Sequence, residues 1–316
     1  MNFYQVLKSI VVLLLFVLGS ASVFYSVDVF AKSLGDFFYQ KAAASASYSF
    51  QPEWVNGQVS AIQQKETTSI DSESFISVRA QDNQYNILFS KNEQERLPIA
   101  SLTKLMATII VLDNYDLDKK VTISDAAIAQ EGEQGNLKMG EVMSVKNLLY
   151  ITLIESSNRA AFALSEVVGP EKFIGLMNKK AKEVGLANTH FEDSTGLSEK
   201  SYSSAEDLVE LSIYLFDNYP LFREIVNLKE FDLYVNGKLH HKLVSTNKFL
   251  GEITDVVGGK TGWTIFSKGC FMVIQQTPGS HSYFVNVILG ANDRFLEMQK
   301  LIDWVNINSN DHNSYL

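Results

Sequence analysis

Leu97-Pro98-Ile99-Ala100-Ser101-Leu102-Thr103-Lys104-Leu105-Met106 is the stretch on which the reading of this chain turns. After Pro98, Leu102, Leu105, Met106, Ile109 and Ile110 recur at helical spacing, which predicts a helix whose opening turn carries Ser101 and Lys104. Positions three apart share a helix face, so the hydroxyl and the amine come within reach of each other. An alcohol attacks well only when a neighbouring base takes its proton, which requires Lys104 to be partly uncharged. Burial disfavours the ammonium form, and a second cation such as Lys260 pushes the same way. The competing reading makes Ser101 a helix cap and leaves Lys104 solvated on the surface.

Two more short elements follow in order. Ser156-Ser157-Asn158 stands between the apolar run Val145–Glu155 and Ala160–Leu164, so a serine and an amide project from a junction between two helices. Ser156 is suited to relay a proton, and the Asn158 amide both donates and accepts hydrogen bonds. The plainer reading is a polar turn capping the second helix. Lys260-Thr261-Gly262 sits in Val256–Thr264, where β-branched residues suggest a strand and the glycines permit close approach of a ligand along its edge. Lys260 and Thr261 there suit a carboxylate, and backbone N–H groups after the glycine suit a developing oxyanion.

Taken together, these segments resemble the low-molecular-mass penicillin-binding proteins, specifically the serine-type D-alanyl-D-alanine carboxypeptidases of the β-lactamase/transpeptidase-like superfamily. The resemblance extends through Phe173–Ala181, Leu186–Phe191, Thr195-Gly196-Leu197, Ser203–Leu208, Thr246-Asn247 and Leu289–Trp304, and covers roughly Phe75 to Val305. It implies that Ser101 is the nucleophile, Lys104 its general base, and Ser156 with Asn158 the rest of the proton network and a hold on substrate. It further implies that Lys260, Thr261 and Arg294 meet a terminal carboxylate, and that the N–H groups of Ser101 and Trp263, beside Gly262, form an oxyanion hole. The expected reaction is removal of the terminal D-alanine of peptidoglycan stem peptides through an ester on Ser101, with β-lactams as covalent inhibitors and no cofactor or metal.

The chain departs from the family's pattern in two places. Arg159 follows Asn158 where aspartate is common, and Ile265-Phe266-Ser267-Lys268 follows Thr264 where a polar pair precedes Ala-Gly. The motifs do not separate a carboxypeptidase from an endopeptidase of the same family that cuts cross-links. A class A β-lactamase needs a glutamate with a nearby asparagine, and Glu192 lacks the asparagine. A catalytically inactive wall-binding protein would have no use for an intact set of Ser101, Lys104, Ser156, Asn158 and Lys260.

The order of elements gives the fold class. Phe75–Ala80 and Tyr85–Ser90 read as a hairpin turning at Asp82-Asn83, and helices follow from Leu102 to about Asn218. Strands return at 230–235, 269–276 and 283–289 before a closing helix around Arg294–Trp304. The expectation is an α+β, three-layer α/β/α domain: an antiparallel sheet covered by helices, with an all-helical insertion at about 113–228. The domain is placed at residues 71–316, behind a leader at 1–30 and a flexible tether at 31–70 rich in Ala, Ser, Gln and Thr.

Within the leader, Ile10 to Val27 is an 18-residue apolar stretch, close to the ~20 residues that span a bilayer. An N-terminal transmembrane helix holding an extracytoplasmic domain to the cell membrane is favoured over a cleaved signal peptide, since an h-region is shorter. The 316 residues, 46% hydrophobic and 20% charged, suffice for a full core. A net charge of −9 without a basic run argues against nucleic acid. Cys270 is the only cysteine, which excludes an intrachain disulfide, and its apolar neighbours suggest a buried, inert thiol. His190, His240, His241, His281 and His312 lack metal-ligand spacing, and Glu131, Glu133 and Glu141 read as a solvated face.

Overall fold

The computed structural model describes residues 69–81, 84–277 and 280–309. In chain order the elements are β1 (Ser74–Gln81), β2 (Gln84–Lys91), β3 (Leu97–Pro98), a 3-10 turn (Ala100–Leu102), α1 (Thr103–Asn114), β4 (Lys120–Thr122), α2 (Asp125–Ile128), β5 (Val142–Ser144), α3 (Val145–Ile154), α4 (Asn158–Glu166), α5 (Pro170–Glu183), β6 (Tyr202–Ser203), α6 (Ala205–Asn218), α7 (Pro220–Val226), β7 (Glu230–Val235), β8 (Lys238–Val244), β9 (Val256–Thr264), β10 (Lys268–Gln276), β11 (Tyr283–Ala291) and α8 (Arg294–Ser309).

Five strands form one antiparallel sheet in the order β2-β1-β11-β10-β9. Side chains alternate along each strand, and both faces are covered. Ile76, Val78, Met272, Ile274, Val285 and Val287 pack into the core shared with Leu105 and Ile109 of α1 and Leu208, Leu211 and Leu215 of α6. Phe75, Phe271, Val273 and Ile288 belong to a second core with Met298, Leu301 and Ile302 of α8. The three-layer α+β expectation therefore holds, and β10 and β11 are apolar almost throughout because neither face meets water.

Local signals start the helices. Ser144, Ser157 and Ser204 accept from the backbone N–H three residues on, capping α3, α4 and α6. Pro170 and Pro220 open α5 and α7.

Three expectations need correction. The insertion is not all-helical, because β4 pairs with β5 inside it, and β3 with β6 at its margin. Strands of two or three residues are too short to show a period of two. Lys238–Val244, unassigned by sequence, is β8, paired with β7 through a turn at Asn236-Gly237. A register shift opposite Leu233 and Tyr234 breaks the alternation that would have revealed it. Ile70, given to the tether, is 6% exposed and joins the core under α8.

The Asp82-Asn83 turn and the apolar stretch Ile10–Val27 lie outside the described residues. Among the described residues no helix is long and apolar enough to cross a membrane.

Candidate active site

The three short elements converge where the edge strand β9 passes the 3-10 turn before α1. Lys104 Nζ lies 2.7 Å from Ser101 Oγ, 2.7 Å from Asn158 Oδ1 and 2.6 Å from the carbonyl oxygen of Thr195. Lys104 is fully buried, and burial brings its pKa down to about 7, against an opposing pull from Asp193. The surface-lysine reading is thus excluded, and the helix begins without a side-chain cap from Ser101.

Proton counting then fixes the direction of chemistry. The Asn158 amide nitrogen donates to Glu131 O at 2.8 Å, which turns its Oδ1 toward the lysine. An uncharged amine has two hydrogens and one lone pair. Asn158 Oδ1 and Thr195 O are acceptors only, so they take both hydrogens, and the lone pair is left for the Ser101 hydroxyl.

Among the described residues Ser156 is one of six non-glycine residues with positive φ, at 62°, and Ala100, at 46°, is another. Such backbone is uncommon away from glycine, and here it flanks Ser101 and its partners. Ser156 Oγ lies 2.6 Å from Lys260 Nζ, which also donates to Thr261 O at 2.9 Å. Ser156 is thereby assigned to Lys260, and among the described residues no hydrogen bond joins it to Ser101 or Lys104.

Lys260 is 1% exposed, and burial first, then the charges of Lys104 and Arg294, lower its pKa well below that of an ordinary ammonium. Sequence reasoning expected burial, helped by Lys260, to depress Lys104; burial is the leading cause at Lys104, and the two lysines repel each other.

Thr261 Oγ1 donates to Thr246 Oγ1 at 2.7 Å, and Arg294 reaches Gly262 O at 3.4 Å. Gly262 lies against the 3-10 turn that carries Ser101: a Cβ there would stand 3.0 Å from both Ala100 Cβ and Ser101 N. Trp263, next along the strand, is exposed. β9 pairs only with β10 in the sheet, so its outer edge is available beside Ser101 for an extended peptide.

In the central triplet the capping reading falls on Ser157 alone. Ser157 caps α4, while Ser156 and Asn158 serve the lysines. Sequence reasoning missed the backbone acceptors Thr195 O and Glu131 O, because a carbonyl belongs to every residue type. The loop holding Glu131 is exposed as expected, yet it also supports the site: Ser157 Oγ donates to Gln134 O at 2.6 Å. Glu141 differs from the solvated reading, being half-buried with its carboxylate 2.9 Å from His240 Nε2. Cys270 is buried, and burial pushes its thiol up to about 11, which leaves it protonated.

Comparison with known proteins fits this geometry. The chain is 33% identical over 251 residues to D-alanyl-D-alanine carboxypeptidase DacF of Bacillus subtilis (strain 168), covering 76% of this chain and 64% of that protein. It is 36% identical over 172 residues to the D-alanyl-D-alanine endopeptidase of Haemophilus influenzae, covering 52% of this chain and 58% of the relative. It thus spans less than two-thirds of the length of either. Among solved structures, the Streptomyces K15 DD-transpeptidase matches with a TM-score of 0.68 at 26% identity, over 75% of this chain and 97% of that one. The peptidase S11 family, described as D-alanyl-D-alanine carboxypeptidase, matches residues 60–293, and the chain belongs to that family.

Proposed function

We propose that the chain is a serine D-alanyl-D-alanine carboxypeptidase that removes the terminal D-alanine of peptidoglycan stem peptides. The observation that supports this most is the buried Lys104 amine, whose two hydrogens are taken by Asn158 Oδ1 and Thr195 O while Ser101 Oγ stands 2.7 Å away.

In this reading Lys104 takes the hydroxyl proton as Ser101 Oγ bonds to the carbonyl carbon of the penultimate residue. The negative oxygen that forms is met by backbone N–H groups of Ser101 and Trp263. The proton on Lys104 leaves with the D-alanine nitrogen as the C–N bond breaks, while Ser156 Oγ stays bonded to Lys260 Nζ. Water then attacks the ester, restoring the Ser101 hydroxyl and releasing the shortened peptide. Lys260, Thr261 and Arg294 hold the terminal carboxylate, whose charge favours the ammonium form of Lys260 that burial disfavours.

A β-lactam would form the same ester but offers no separate leaving amine, so its adduct should persist. The proposal also takes Ile10–Val27 as a membrane anchor and residues 31–68 as a tether, with the catalytic domain outside the cytoplasm near its polymer.

The test is to incubate the chain with labelled penicillin, locate the adduct by mass spectrometry, and assay D-alanine release from a D-Ala-D-Ala pentapeptide. Adduct on Ser101 with D-alanine release is expected, and Ser101→Ala should lose both. Adduct without release would favour the endopeptidase and rapid turnover of penicillin the lactamase, and the absence of both adduct and release would contradict the proposal outright.

A further inference from the structure

The turn that supplies the Thr195 carbonyl is organised by one carboxylate. Half-buried Asp193 accepts the backbone N–H groups of Thr195, at 2.9 Å, and Gly196 through Oδ1, and that of Ser198 through Oδ2. Three donors converging on an ionised acceptor hold a short turn more firmly than neutral hydrogen bonds would. What the turn presents is specific. Thr195 O meets Lys104 Nζ at 2.6 Å, and Gly196, at φ +86°, lies so close to the nucleophile turn that a Cβ would stand 1.9 Å from Ala100 O and 3.0 Å from Ser101 N.

Asp193 has no hydrogen bond to either Ser101 or Lys104. It acts on Lys104 through the carbonyl it aims and through its negative charge, which favours the ammonium and so opposes burial. The charged groups bearing on this amine are Asp193 from the turn and Lys260 from β9; its contacts on α4 and on the 3-10 turn, Asn158 and Ser101, are neutral. Neighbouring Glu192 is turned away, exposed and 2.7 Å from His190.

We propose that Asp193 is a positioning residue of the acyl-transfer site: by fixing the Thr195 carbonyl it aims the Lys104 lone pair at the Ser101 hydroxyl. This deepens the reading of Lys104 as the base and rests on it. A glutamate cannot place its two oxygens under the same three N–H groups, and an asparagine keeps one acceptor but loses the charge and turns an N–H₂ toward a donor.

The test compares the full chain with Asp193→Asn and Asp193→Ala, measuring the second-order rate of penicillin acylation by intact-protein mass from about pH 5 to about pH 9, alongside thermal unfolding. Asp193→Asn is expected to slow acylation about tenfold on the alkaline plateau, and Asp193→Ala about a hundredfold. In both, the acid limb of the profile should move to lower pH, since loss of the carboxylate removes the pull that favours the ammonium. A residue that only stabilises the fold would lower unfolding temperature and leave the limb in place. Should Asp193→Ala not fold, Asp193→Asn decides the question. Variants that acylate at the wild-type rate with the wild-type limb overturn this inference alone. A wild-type chain that forms no adduct at any pH overturns the underlying reading, and the inference with it.

Discussion

Under α8, Phe75, Phe271, Val273 and Ile288 pack on Met298, Leu301 and Ile302, and Phe89 stacks on Trp304 with ring centroids 4.5 Å apart. At the β9 edge of the same sheet, Lys104 and Lys260 are just as deeply buried, held by hydrogen bonds to Asn158, Ser156 and two backbone carbonyls. The first region removes apolar surface from water and stabilises the fold at ~25 cal/mol per Å². The second works against folding. A lysine brought from 10.5 to about 7 by burial costs on the order of 4 kcal/mol near neutral pH relative to an exposed one. Stability made beneath the sheet thus offsets a cleft kept reactive at its edge.

The largest expected effect comes from removing the amine. Lys104→Met should reduce acylation by roughly 10⁴-fold, the upper range for a general base, while raising stability near neutral pH by about 1 kcal/mol or more. The sign follows from linkage. The folded pKa, about 7, lies below the unfolded value near 10.5, so between them the unfolded chain binds the extra proton. That contribution to wild-type stability is complete above the unfolded value and is lost as pH falls through about 7. Urea unfolding should therefore show the advantage of Lys104→Met shrinking as pH rises from 7 to about 10. An advantage that does not change with pH would break the contrast between the two regions.

Gly196→Ala should come next. Its Cβ has no room beside Ala100 O, and its φ of +86° strains any other residue, so the nucleophile turn must shift. Acylation should fall about 10²-fold, with a loss of stability of about 1–3 kcal/mol visible in thermal melts.

The smallest effect on chemistry is expected beneath the sheet. Leu301→Ala should cost about 2–5 kcal/mol in urea unfolding while the folded fraction acylates at the wild-type rate. A large drop in that rate would mean that the regions are mechanically coupled.

Much of this contrast was legible in the sequence, for reasons that also explain the gaps. Ser101 and Lys104 could be read because three-residue spacing on a helix dictates proximity, and β1, β7, β10 and β11 because strands buried on one or both faces leave an alternating or continuous apolar signal. His240, at the register shift in β8, hid that strand, and the ribbons β3–β6 and β4–β5 were too short to show a period. Proximity in space could not be read from spacing: that Ser156 would meet Lys260 and not Lys104 depends on how β9 crosses the junction before α4. The acceptors Thr195 O and Glu131 O are backbone atoms, and nothing in the sequence singles out Asp193. Only the folded turn reveals three N–H groups converging on it.

The account depends most on Lys104 meeting Ser101 as an uncharged amine, and the pH dependence of single-turnover acylation by penicillin tests this directly. Acylation of Ser101 should rise tenfold per pH unit below neutrality and level off above an acid limb near pH 7, the value to which burial brings Lys104. A rate that keeps rising tenfold per pH unit through neutrality and levels off only near pH 10, as for a solvated lysine, would contradict it.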